Sequence, residues 1–115
     1  MKPNVYVINR SSHDFSDAER FGDLIFLSDG RIDKFATNNI YRMFQPILAA
    51  SASEDYLLVT GLTIMVCIAA GMLASKHGRL NLLIHRADNT YVSRTLVFDD
   101  LEDQSMAQII QEARS

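Results

Sequence analysis

Tryptophan is absent from this chain, cysteine occurs once, proline twice and glycine five times in 115 residues. A single cysteine, Cys67, can close neither an intrachain disulfide nor a Cys-rich zinc site, so a reducing, cytoplasmic setting is expected. Scarce proline and glycine exclude collagen-like and low-complexity architectures. Basic residues are not in excess: 11 Lys and Arg stand against 14 Asp and Glu, a formal net charge of −3. That balance argues against a duplex nucleic-acid binder, which needs a basic surface for the phosphates, but leaves room for a small anion held by local cations. Two phosphate-binding signatures are missing as well. No Gly-Lys-Ser/Thr follows any strand pattern, and there is no Gly-x-Gly-x-x-Gly. Met1 to Ile8, interrupted by Pro3 and Asn4, does not read as a secretory leader.

What is present is a globular composition, 48% hydrophobic and 22% charged, sized for a single domain over residues 1–115. The uncharged stretch from Leu57 to Ala74 is close to the lower length of a membrane span, about 17 residues. Thr60, Gly61 and Thr63 interrupt it near its start. Its composition also changes from strand-favouring Leu-Leu-Val to helix-favouring Ala, Met and Leu, so a soluble α/β reading is preferred over a single spanning helix.

That run lies inside the most informative part of the chain. Tyr56 to Thr60 reads as a buried strand, Gly61 as a turn, Leu62 to Ser75 as a helix, and Lys76-His77-Gly78 as its cap. Leu80 to Ile84 then reads as a second buried strand, completing a β-α-β crossover. Upstream, Val5 to Ile8 is a strand apolar on both faces. Ser16 and Glu19 have capping-box spacing, and Gly22 is placed to end a short helix. Leu24 to Leu27 is the next strand, and Asp29-Gly30 suggests a turn into a short returning strand over Ile32 to Phe35. A helix over residues 38–50, capped by Thr37 or Asn38, carries Ile40, Phe44, Ile47 and Leu48 on one face, and Pro46 should bend or split it. Asp88-Asn89-Thr90 turns Leu80–Arg86 into Tyr91–Phe98 as an antiparallel hairpin. A C-terminal helix opens at Ser105 with Met106, Ile109 and Ile110 on its apolar side. The expected fold is an α/β single domain: a mixed sheet of five or six strands, a β-α-β crossover core and a C-terminal β-hairpin.

The crossover helix lacks a polar face. Ile64, Met65, Ile68 and Met72 form one line, Leu62, Val66, Ala69 and Leu73 another, and Thr63, Cys67, Ala70 and Ala74 a third of small residues. A sheet covers only one side of a helix, and each large apolar side chain left in water forfeits on the order of 1.5–3 kcal/mol. A homo-oligomer burying this helix is therefore expected, with Cys67 inside it; the alternative cover is the two flanking helices.

If the strands at Val5, Tyr56 and Leu80 run parallel, their carboxyl ends gather Arg10, Ser11, Ser12 and His13 with Thr60, Gly61 and Thr63 and with His85, Arg86 and Tyr91. Cations, hydroxyls and free helix N–H groups suit a phosphate or carboxylate, and Gly61 lets the backbone come close to it. Each residue also has a purely structural reading: Gly61 as a tight turn, Thr60 or Thr63 as a cap, Arg86 paired with Asp88, Tyr91 packed on the sheet. The leading functional expectation is a binding module for an anionic, nucleotide-like small molecule, with no catalytic residues, no metal and no cofactor. In size and in its few catalytic groups the chain is similar to small oligomeric proteins that sequester nucleotide messengers. Two alternatives stay open: a phosphodiester-acting enzyme using His13 and His85 as an acid–base pair, and a self-assembling interaction protein without a small ligand. No membrane and no duplex nucleic acid are expected as partners.

Overall fold

The computed structural model describes residues 2–11 and 13–98. Five strands form one mixed sheet: β1 (Asn4–Val7), β2 (Asp23–Phe26), β3 (Tyr56–Val59), β4 (Arg79–His85) and β5 (Tyr91–Val97), in the order β2-β1-β3-β4-β5. β1, β2, β3 and β4 are mutually parallel, and β5 returns antiparallel on β4. The helices are α1 (Thr37–Leu48) and α2 (Thr63–His77), with a one-turn 3₁₀ helix at Ser16–Arg20 between β1 and β2. This is the expected α/β mixed sheet with its crossover and hairpin. The C-terminal helix expected from Ser105 lies outside the described residues. Among the described residues no helix is long and apolar enough to cross a membrane.

Strand alternation divides the core in two. On one face Tyr6, Ile8, Leu57 and Leu80 meet Ile40, Phe44 and Leu48 of α1 and Met65, Ala69 and Leu73 of α2. On the other face Val5, Val7, Leu58, Leu83 and Tyr91 meet Phe15 and Ala18. Both long helices thus pack on one side. Among the described residues the second side is covered by residues 13–21, drawn across the sheet. Asp17 accepts the Tyr91 backbone N–H at 2.7 Å and Arg20 donates to the Tyr91 carbonyl. Phe21 packs against Tyr56, ring centroids 5.5 Å apart. The outward backbone groups where β5 starts are thereby satisfied by a side-chain pair rather than by a sixth strand.

At the amino ends of the strands a buried polar network ties the sheet together. The Asp55 carboxylate accepts the Asn4 N–H at 2.9 Å, the Ala52 N–H at 2.8 Å and the Tyr6 hydroxyl at 3.2 Å. Asn81 donates to the Ser53 and Asp55 carbonyls and accepts from Arg79 and Thr95. Burial, reinforced by the neighbouring Asp55 charge, holds the Tyr6 phenol above its ordinary pKa, and burial with Asp14 and Asp17 does the same for Tyr91. A phenol whose pKa rises on folding contributes stability that is complete below the unfolded value, about 10, and is lost as pH climbs through the folded value. The melting temperature is therefore expected to fall above about pH 10, and Tyr6→Phe to flatten that alkaline decline; melting curves taken across this range check it.

Several local expectations are corrected. No strand returns over Ile32–Phe35. The parallel β1–β2 pairing is prolonged instead by an Arg10–Asp29 bridge, and the chain leaves for the helical layer, where Ile32 packs while Phe35 stays exposed. Ser16 caps nothing; its own N–H is taken by the Asp14 carboxylate at 2.9 Å. Gly22 is required by proximity, not by a helix end, since a Cβ there would sit 2.1 Å from the Pro3 carbonyl oxygen. Pro46 does not split α1, which runs unbroken from Thr37 to Leu48 with the proline in its last turn. Neither Thr37 nor Asn38 caps α1, whose N-cap is Ala36. Cys67 is exposed rather than buried, because Met65, Ala69 and Leu73 are the residues α2 turns inward. Gly78 ends α2 in the left-handed region, φ 67°, as a glycine after a helix should.

Candidate functional site

In an open parallel sheet the crevice for a ligand lies beyond the carboxyl ends of the strands, where successive connections depart to opposite faces. Here that switch falls between β1 and β3: the connection after β1 crosses the face of Phe15 and Ala18, whereas α2, after β3, joins the face of α1. Asn9, at the end of β1, donates through Nδ2 to the Gly30 carbonyl at 2.9 Å, while its buried Oδ1 has no partner among the described residues. Gly61 stands at φ 98°, and a side chain there would come within 3.6 Å of Ile8. Its flexibility is needed to turn β3 sharply into α2.

From this switch a row of aromatic and cationic side chains runs along the second face. The Arg10 guanidinium lies 4.0 Å above the centre of the Phe26 ring and 3.9 Å from the Asp29 carboxylate. Phe26 meets Phe15 edge-on at 6.0 Å, and Phe15 meets His13 at 5.6 Å. His13 and His85 then face each other, ring centroids 5.7 Å apart and planes inclined by 59°. His85 meets the Tyr91 ring at 5.4 Å, and its Nε2 lies 3.1 Å from the Asn89 Oδ1. Because a carboxamide oxygen only accepts, this contact makes Nε2 the donor and leaves Nδ1 as the free position. The positive φ of Asn89, 64°, is part of the tight turn that carries it back toward His85. Tyr91 is almost completely buried and its hydroxyl has no partner among the described residues.

The expected site residues therefore separate. Arg10, His13, His85 and Tyr91 belong to this row, Tyr91 as a packed ring rather than an exposed stacking surface. Ser11 shapes the loop, its hydroxyl accepting the His13 N–H at 3.2 Å. Ser12 lies outside the described residues. Thr60 is half-buried where β3 ends, its N–H bonded to the Leu58 carbonyl. Thr63 opens α2 on the helical side, lining a shallow depression with Lys34, Leu62 and Cys67, and the N-cap of α2 is Leu62, without a side-chain cap. Arg86 is exposed in the hairpin turn, its N–H donating to the Thr90 carbonyl. Asp88, the residue expected to pair with Arg86, instead bonds Thr90, and that contact holds its carboxyl below the usual carboxylate range. Phe15, Phe26, Asn9 and Asn89 complete the row and were not expected from the sequence.

On the opposite side, an open groove of about 580 Å³ lies between α1 and α2, lined among others by Tyr41, Gln45, Cys67, Gly71 and Met72. Among the described residues no group of His, Cys, Asp and Glu is arranged to hold a metal ion.

Comparison with known proteins returns one family. No curated protein and no solved structure matches the chain. Residues 3–97 match a family model described as Phage Pam3 gp32-like protein, a span that takes in every strand and both long helices. The chain belongs to the phage Pam3 gp32-like protein family.

Proposed function

We propose that this chain is a small binding module that takes an anionic, nucleotide-like molecule at the carboxyl ends of its parallel strands and withholds it from other proteins. One observation carries the reading. Arg10, Phe26, Phe15, His13 and His85, drawn from three separate stretches of sequence, form a continuous cationic and aromatic row beside the topological switch of the sheet. A guanidinium supplies a permanent positive charge and a flat stacking surface, and imidazoles supply proton-dependent donors, which together suit a base joined to a phosphate. Arg10→Ala is expected to weaken nucleotide binding about tenfold to a hundredfold, the loss of one charge-assisted contact of roughly 1.5–3 kcal/mol. Arg79→Ala, at the other end of β4, should leave affinity unchanged. Isothermal titration with a panel of mononucleotides, together with mass spectrometry of any molecule released on denaturation, makes the test. A panel without binding and an empty release would reject the reading.

The separation of His13 and His85 also favours a second reading, an acid–base pair acting on a phosphodiester, one ring taking a proton while the other gives one. Turnover of a dinucleotide, lost in His13→Ala, would establish it over simple binding.

As a partner the reading adds a second copy of the chain, covering the outer side of α2. That side exposes Cys67 and Gly71 beside half-buried Ile64, Ile68 and Met72. Cys67 reports on it directly. A monomer exposes this thiol to rapid labelling, whereas assembly should slow labelling as protein concentration rises. Light scattering showing a monomer, with labelling independent of concentration, would remove the second copy from the account.

A further inference from the structure

We infer that His13 and His85 form a clasp for a dianionic phosphate, so that the site selects phosphomonoesters over diesters and carboxylates and holds them more tightly at mildly acidic pH. This rests on the reading that an anion binds beside Arg10. The argument begins with the proton on His85. With Nε2 donating to Asn89, a neutral His85 presents only the Nδ1 lone pair, which repels an anion. Protonation converts Nδ1 into a donor while the Asn89 bond is kept. With the Asn89 oxygen facing Nε2, His85 donates to an anion through Nδ1 only as imidazolium.

His13 approaches from the facing loop, and the 5.7 Å between ring centroids lets N–H groups of both rings reach different oxygens of one phosphate. Two imidazolium ions at that separation place two positive charges beside one bound anion. A dianion balances both charges, whereas a diester or carboxylate balances one. That difference is the source of selectivity. Among the described residues the other charged groups around the pair are carboxylates with their own partners and guanidiniums. Asp14, next to His13, is held below the usual carboxylate range by its bond to the Ser16 N–H. Asp17 and Arg20 are engaged with each other and with the Tyr91 backbone. Asp88 is bound to Thr90, and the Tyr91 phenol is raised by burial. Arg86 in the turn and Arg10 at the far end of the row stay charged throughout.

Isothermal titration of the full chain with adenosine monophosphate, cyclic adenosine monophosphate and inorganic sulfate, each at about pH 6 and about pH 8, tests this, because an ordinary imidazole titrates near 6.5. Sulfate is a dianion at both values, so its pH dependence reports protons on the protein alone. The expected result is at least tenfold tighter binding of sulfate at the lower pH, with smaller gains for adenosine monophosphate, whose phosphate takes up a proton near about pH 6, and for the singly charged cyclic diester. His85→Gln and His13→Gln, both at exposed positions, should fold normally and lose that pH dependence, while residual binding through Arg10 remains. Equal affinity at the two pH values, a diester held as tightly as the monoester, or pH dependence retained in the double glutamine variant would overturn the clasp and leave the binding module standing. Hydrolysis of the cyclic diester would overturn it in favour of the acid–base reading. Absence of binding by every probe at both pH values would overturn the clasp and the binding module together.

Discussion

Asp55→Ala is expected to destabilise the fold by about 3–5 kcal/mol, because it strips the hydrogen-bond acceptor from a buried network of neutral donors. Asp55 is 8% exposed, and its carboxylate accepts hydrogen bonds from the Asn4 N–H, the Ala52 N–H and the Tyr6 hydroxyl. Removing it leaves three donors in or near the core without partners, and each unsatisfied buried donor costs about 1–3 kcal/mol. A small domain has roughly 5–15 kcal/mol in total, so a substantial loss of melting temperature or of soluble yield should follow. Asp55→Asn keeps the side-chain carbonyl and should lose clearly less. Denaturant titration of the two variants separates the network from the mere presence of a side chain. Equal, small losses in both would mean that the donors find other partners.

Gly22→Ala should be of similar severity for a different reason. Its Cβ would lie 2.1 Å from the Pro3 oxygen and 2.8 Å from the Pro3 carbonyl carbon, both backbone atoms at the start of β1. The Asp23 N–H bonds that same oxygen at 3.0 Å, so relieving the clash means prying β2 away from β1 where their pairing begins. Overpacking costs about 1–3 kcal/mol where side chains can yield; here the obstacle is main chain, and the upper end or beyond is expected. Gly71→Ala is the matched control. It adds the same methyl inside α2, where nothing lies within 4 Å of the new carbon, and should stabilise by about 0.5–1 kcal/mol through helix propensity. Thermal unfolding of the two variants should move in opposite directions.

These two sites also mark the limit of what the sequence makes legible. The stretch from Tyr56 to Gly78 reads correctly because its signals are local: a strand-like apolar run, a glycine turn, a long helix-favouring run and a glycine cap. The hairpin from β4 to β5 reads for the same reason. Asp55 reads only as a charge flanking a strand, since its partners Asn4 and Tyr6 stand about fifty residues away in sequence. Gly22 carries a helix-end signal that its neighbour in space, Pro3, overrules. The candidate row is half visible. Arg10, His13 and His85 follow from assuming parallel strands, but the face each side chain takes depends on strand alternation and on the path of residues 13–21 across the sheet. Thr63 is drawn to the opposite face with α2, and Phe26 enters under Arg10, through packing that no local pattern encodes. Cys67 shows a related limit. An all-apolar helix has no polar stripe to indicate which side turns outward.

The central claim is that an anion binds on the second face, at the carboxyl ends of β1 and β4. A titration of the labelled protein with adenosine monophosphate, followed residue by residue through its amide and imidazole resonances, tests it most directly. The account predicts saturable shifts concentrated at Arg10, His13, Phe26, His85 and Asn89, with Cys67 and Gly71 unmoved. Shifts confined to the groove between α1 and α2, or none at millimolar nucleotide, would contradict it.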